Sequence, residues 1–399
     1  MLYDVIIFLI AMVLLIIIAR KHIAYSFLIS ALLLGAFTLD PKVLLSTGQK
    51  TISDISIILL SLSVGIIPLL GGILQYTKIS QKLIESATIP KKTFIGVAPA
   101  LFGMIPMPGG ALLSAPLLGD IEGEIPKGLK VAANVWFRHA LILIYPLGPL
   151  LAATKMAKVP LYEVIYISLP FSMILLISGY YFILKPIEGK MPGKTKPDAS
   201  IILKAGTIVL TPPVLHITLT AIFPKVLNEL HLIIAVTFSL LLAIIITKLK
   251  LNEVIAIIKR MRPWKYGLLI LFMFFFMHVF QATKITKFIA SFQLTPFMLF
   301  VVIGFLLGVI TGRVRMPVAL ILPICFTIWN KISALDFSLM YCSIFLGYLI
   351  SPIHACIVVS LEYFKDDYLK MFYYIIKPAL TCLAILITIA LLHWNFVIY

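Results

Sequence analysis

The sequence predicts an all-α polytopic membrane protein: about ten transmembrane helices plus two re-entrant hairpins, built as an inverted repeat of five helices and a hairpin. Three observations carry this. Of 399 residues, 61% are hydrophobic and 12% charged, where a soluble domain carries about 25% charged residues. Apolar stretches of about 20 residues, enough for a bilayer core of about 30 Å, recur along the chain. Two of these stretches are cut in the middle by proline and glycine.

Taken in order, the apolar runs place full crossings at 2–19, 23–39, 55–74, 131–153 and 162–184. A basic, Pro- and Gly-containing loop at 185–200 follows, then crossings at 201–223, 230–247, 264–281, 338–360 and 371–392. The first run lacks a basic region before it and a cleavage site after it, so it reads as a first helix rather than a leader. Between the crossings, 43–52, 79–87, 251–261 and 285–292 set apolar residues on one helical face. They read either as helices in the membrane plane or as buried packing helices.

Two apolar runs do not fit single crossings. The run 93–118 is interrupted by Pro106, Pro108, Gly109 and Gly110, and the run 295–329 by Gly312, Arg313, Arg315 and Pro317. Proline lacks an amide donor and glycine admits unusual dihedrals, so each break stops a helix. Broken backbone in lipid is tolerated only where protein buries it or water fills a cavity. Both runs are therefore expected to be hairpins, with a Pro-kinked packing helix as the alternative for the first.

The halves align. Pro108 and Pro317 are 209 residues apart, as are the starts of the crossings near Tyr162 and Met371, while Pro146 precedes Pro352 by 206. Residues 1–199 then hold scaffold helices (2–74), a hairpin (93–118), a broken helix (131–153) and a helix (162–184). Residues 200–399 repeat the order at 201–281, 295–329, 338–360 and 371–392. Five crossings is an odd number, so the second half enters the bilayer upside down.

The formal charge is +17, a value that in a soluble chain would suggest nucleic acid. Here the loops explain it. With both termini outside a cell membrane, the inner loops hold Arg20, Lys21, Lys91, Lys92, Lys259, Arg260, Arg262 and Lys265 among others. The outer ones hold Lys42, Lys50, Lys155, Lys158, Lys225, Lys284, Lys287 and Lys331. Basic residues thus favour the inside, as the positive-inside rule requires. Three cations remain within apolar runs: Arg138, Arg313 and Arg315.

Candidate binding residues follow from the breaks. At Pro108, Gly109 and Gly110 the freed amides would lie at mid-membrane depth, and the helix starting there would offer its positive end to an anion. Ser114 adds a hydroxyl one turn on. At the second break stand Thr311, Gly312, Arg313 and Arg315. A buried arginine costs several kcal/mol (order of magnitude) unless it meets water or a partner. These two either bind a carboxylate or phosphate or reach the headgroups. Asn134 and Arg138, four apart, point together into the bundle, with His139 rotated by about 100°. Their counterparts are Ser351 and His354. His139 either carries a coupling proton or is a hydrogen-bonded packing residue. Gly110, Ser114, Thr311 and Gly312 are the candidates for holding sodium.

Asp54, Glu163, Asp336 and Glu362 fall at the ends of crossings, so no carboxylate relay is expected. The four cysteines (Cys325, Cys342, Cys356, Cys382) lie in apolar runs without ligand spacing and read as packing residues, neither disulfides nor metal ligands. No phosphate-binding loop, metalloprotease helix or nucleophile elbow occurs, so an enzyme is not expected. The expected function is secondary active transport of a small organic or inorganic anion, with sodium or a proton as the coupling ion and no other cofactor. Nucleic acid is not an expected partner; lipid is. A channel and a lipid- or polyprenyl-phosphate-handling protein are the alternatives.

Met107 to Pro116, Asn134 to His139 and Ser351 to Cys356 resemble, over nearly the whole chain, the family known as domain of unknown function 401, grouped with the ion transporter superfamily. That resemblance implies an inverted repeat of five helices plus a hairpin, a dimerising scaffold, an elevator-like moving domain and a site where the hairpin tips meet the broken helices. The Ser-Asn-Thr tips of that superfamily's dicarboxylate carriers do not occur here.

Overall fold

A computed structural model describes residues 2–19, 22–79, 82, 90–104, 114–115, 118, 121, 125–190 and 199–396. The first helices are α1 (Leu2–Ala19), α2 (Ile23–Thr38), α3 (Pro41–Ser53), α4 (Ile55–Tyr76) and α5 (Lys91–Met104). Then come α6 (Lys127–Ala140), α7 (Pro149–Ala157) and α8 (Leu161–Gly179), the last running on through a π turn at Tyr180–Leu184. The remainder holds α9 (Ala199–Ile222), α10 (Asn228–Thr247), α11 (Leu251–Met261), α12 (Trp264–Ala282) and α13 (Ile285–Ala290). A π segment at Phe297–Ile303 leads into α14 (Gly304–Thr311), followed by α15 (Arg315–Trp329), α16 (Ala334–Ile350), α17 (Ala355–Phe364) and α18 (Tyr368–Phe396).

Local chemistry sets the helix ends. Asp54 starts α4 by accepting from the amides of Ser56 (2.9 Å) and Ile57 (3.3 Å), and Asp40 starts α3 by accepting from Lys42 (2.8 Å). Such caps satisfy amides that a helix start leaves unpaired. At the other ends Lys158, Lys248, Arg262 and Lys365 adopt positive φ. Each turns the chain out of its helix and leaves a cation beside the negative end of the dipole.

Seven helices among the described residues are long and apolar enough to cross a membrane, and Tyr3–Ile18, Ile23–Thr38, Phe297–Thr311 and Arg315–Trp329 are shorter apolar helices. Three of the ten expected crossings account for the difference: α1 and α2 are among the shorter apolar helices, and 131–153 is cut into α6 and α7, whereas α16 with α17 counts as one span, Ala334–Phe364. Outward faces carry apolar side chains such as Ile245, Leu203 and Tyr166, each more than 70% exposed. Water would penalise that surface; lipid does not. The segments 43–52, 251–261 and 285–292 are helical, within or overlapping α3, α11 and α13, and nearly all of 79–87 lies outside the described residues.

Packing comes in exchanged couples. α2 lies on α12 as α10 lies on α4; α3 lies on α12 as α11 lies on α4; α6 lies on α18 as α16 lies on α8. α4 meets α12 directly, and α8 meets α18. Two close approaches match as well. A Cβ on Gly103 of α5 would strike the Arg138 carbonyl oxygen of α6, and one on Gly308 of α14 would strike the Ile344 carbonyl oxygen of α16. In lipid, where dispersion replaces the hydrophobic drive between helices, such small residues let backbones touch.

Candidate functional site

Two interruptions meet around the buried side chains of Ser351 and His354. α16 ends at Ile350, and residues 351–354 form a tight turn, with Ser351 and His354 extended at its flanks, before α17 resumes at Ala355. Pro352 has no amide to continue the ladder. The backbone is held instead by His354 N–H donating to the Ser351 carbonyl (3.0 Å). The Ser351 hydroxyl donates to the Val309 carbonyl of α14 (2.6 Å), and Tyr368 of α18 donates its hydroxyl to the Ile350 carbonyl (2.6 Å).

The tip of the second hairpin sits on this break. Thr311 ends α14, and its hydroxyl lies 2.7 Å from the Leu307 carbonyl and 3.1 Å from the Arg313 carbonyl, while accepting from the Arg313 amide (3.3 Å). Gly312 reverses the chain at φ +57°, where a Cβ would lie 3.0 Å from the Ile353 carbonyl carbon and 3.1 Å from the His354 nitrogen. Glycine is the residue that combines that dihedral with that contact. Arg313 and Arg315, half-buried, follow at the start of α15. Arg315 buries its Nε and lies within electrostatic reach of Tyr266, Tyr341 and Tyr348, and Arg313 lies within reach of Tyr348 and His354.

α6 supplies the opposite wall. Asn134 donates to the Ser360 hydroxyl (2.9 Å) and Arg138 reaches the Cys356 thiol. Residues four apart on α6 thereby meet residues four apart, in reverse order, on α17, which fixes these helices antiparallel side by side. His139 points to the neighbouring face. Its Nδ1 lies 2.6 Å from the Val135 carbonyl, which can only accept, so Nδ1 carries the proton. Its Nε2 accepts from the Tyr348 hydroxyl at 3.0 Å. His354, 1% exposed, packs its ring 3.9 Å from that of Tyr348 and 4.7 Å from that of His139.

Several polar atoms here are buried without a partner: Arg138 Nη1, Arg315 Nε, Asn134 Oδ1 and both ring nitrogens of His354. Neither Arg138 nor Arg315 forms an ion pair with a carboxylate among the described residues. A buried cation without a counter-charge costs several kcal/mol, so the crevice is chemically incomplete toward an anion.

Of the residues singled out from sequence, Asn134, Arg138, His139, Thr311, Gly312, Arg313, Arg315, Ser351 and His354 converge. Pro108, Gly109 and Gly110 lie outside the described residues. Ser114 is helical and buried. Ser351 and Thr311 use their hydroxyls on backbone carbonyls, so both shape the breaks. The four cysteines are free thiols. Sequence reasoning missed Tyr348, Tyr341, Tyr266, Cys356 and Ser360 as site residues. Tyr348 alone left a signal, a phenol three residues ahead of the Ser351 break.

The family described as "Protein of unknown function (DUF401)" matches residues 3–394. No curated protein matches. Among solved structures, a crystal structure of the Alcanivorax borkumensis YdaH transporter, described as having an unusual topology, superposes with a TM-score of 0.58 at 11% identity, covering 88% of each chain.

Proposed function

The chain belongs to the DUF401 family, and from that premise we propose that it is a secondary active transporter moving a small organic or inorganic anion by alternating access. One observation carries the reading. Arg138 Nη1 and Arg315 Nε are buried beside two helix interruptions, each without a hydrogen-bond partner. A guanidinium is a planar fork matched to carboxylate and phosphate, and an anion would complete both.

In this reading residues 1–199 and 200–399 are opposed repeats, which the exchanged helix pairings support. α2, α4, α10 and α12 form a static scaffold, and the hairpins with the broken helices move as an elevator. The fold shared with the YdaH transporter supports a carrier and says nothing of substrate. Arg138, Arg313 and Arg315 hold the anion, with Asn134 and His354 completing its hydrogen bonds. A coupling proton would fall to His139 or His354; at His354 the neighbouring Arg138 and Arg313 oppose it unless a bound anion offsets their charge. The sodium alternative uses Ser114, Thr311 and carbonyls near Gly110 and Gly312. The protein works as a homodimer in the cell membrane, both termini outside.

The test is counterflow in proteoliposomes loaded with a panel of small anions, with and without sodium and pH gradients. Saturable, gradient-coupled exchange is expected. Linear, non-saturating flux would favour a channel, and movement of a labelled phospholipid would favour lipid handling. The buried Nε of Arg315 argues against that residue reaching headgroups.

A further inference from the structure

Beyond the carrier reading, we propose that His139, His354 and Cys356, two buried histidines and a partly exposed cysteine, form a site for a soft monovalent metal cation of the copper(I) class. One ligand atom from each residue lies within 4.8 Å of the others. The set is two imidazole nitrogens and one sulfur, the donor chemistry that suits a soft ion.

Two features mark it as more than a chance cluster. His139 donates Nδ1–H to the Val135 carbonyl at 2.6 Å. That is the outer contact a metal-binding histidine usually makes, since it fixes the ring and points the Nε2 lone pair inward. His354 is 1% exposed, and the group nearest its ring nitrogens for a hydrogen bond is the Tyr348 backbone carbonyl, an acceptor that can engage only its N–H. A neutral imidazole must present one lone pair there, and among the described residues nothing donates to it.

Charge selects the class of ion. Arg138 and Arg313 both act on His354, so a divalent ion would add net positive charge to a cationic crevice. A monovalent ion with one thiolate adds none, and that thiolate sits against the Arg138 guanidinium. Cys356 gives up its S–H proton to solvent as the metal–sulfur bond forms. Metal–nitrogen and metal–sulfur bonds of about 2.0 and 2.3 Å need the three atoms to close by about 1 Å. Closing them would take side-chain rotation of His354 and Cys356, with the Tyr348 hydroxyl turning off His139 Nε2.

The experiment uses the full chain in lipid nanodiscs and Ag⁺ as a redox-inert probe, and it needs no transport. Wild type is expected to retain one Ag⁺ more per chain than Cys356→Ser after desalting. His354→Gln and His139→Gln, which leave every thiol in place, are expected to weaken that Ag⁺ by at least about tenfold. Equal retention by Cys356→Ser would overturn the site. So would unchanged affinity in both histidine variants, since the thiol would then be acting alone. Should Cys356→Ser fail to fold, the histidine variants and a rise in wild-type melting temperature with Ag⁺ decide the question.

Discussion

Tyr348 donates its hydroxyl to Nε2 of His139 across 3.0 Å, joining α16 to α6 through residues 209 positions apart in the chain. The same phenol ring covers His354 at 3.9 Å. One side chain therefore holds both broken crossings and both histidines in place.

Tyr348→Phe keeps the ring and removes that donor. His139 Nε2 is then left buried and unpaired, which costs about 1–3 kcal/mol. A drop in melting temperature in nanodiscs is expected, along with altered pH dependence of uptake. An unchanged melting curve would show that water replaces the hydroxyl.

Arg138→Gln removes the charge while keeping a polar side chain at the Asn134–Arg138 face. On the proposed function, anion uptake is expected to fall to background with folded protein retained, judged by size exclusion and circular dichroism. Arg138→Lys should recover part of the binding at best, because a point charge cannot reproduce a bidentate fork. Full transport by the glutamine variant would remove Arg138 from the site.

Gly312→Ala places a Cβ at φ +57°, 2.9 Å from Ile353 Cγ1. The dihedral alone costs roughly 1–2 kcal/mol, and the contact pushes the hairpin tip off the 351–354 break. Thermal unfolding should register the loss. Gly206→Ala is the control: a Cβ there meets nothing within 4 Å, so that variant should unfold no earlier than wild type.

Lys155 at the end of α7 pairs with Glu229 of α10 at 2.6 Å and donates to the Ser56 hydroxyl of α4 at 2.7 Å. In the elevator reading this contact links a moving element to two static ones. Lys155 is about one-third exposed, so screening limits the pair to about 1 kcal/mol of coupling in a double-mutant cycle. The Lys155→Glu/Glu229→Lys double variant should restore most of what either single change loses.

Asp336 gathers the far end of the fold. It accepts from the Ser333 hydroxyl (2.6 Å) and from Trp394 Nε1 (2.7 Å), and His393 Nε2 lies 3.1 Å away. Asp336→Asn weakens the hold on the end of α18. A shifted Trp394 emission, with early protease cleavage near the C-terminus, is the expected signature.

Much of the architecture was readable from residues alone. Apolar runs located the helices, and Pro352, Gly312 and the Pro146–Pro149 stretch located the breaks, because helix-stopping is a local property of one or two residues. Asn134 and Arg138 were assigned to a common face for the same reason: a spacing of four is geometry within one helix. The burial of the Arg315 Nε was not readable. The same two residues at a hairpin tip serve equally to reach headgroups or a buried site, and the choice lies with what the tip touches.

The sequence by itself determined that lipid is the solvent, where the helices begin and stop, and which cations lie within the apolar runs. Those follow from transfer free energies and backbone dihedrals, which act over a few neighbouring residues. Only the tertiary structure decided that Tyr348 engages His139, that Cys356 lies beside Arg138, and that no group donates to the buried ring of His354. Contacts of that kind depend on how distant helices dock, and docking is settled by the packing of the whole bundle.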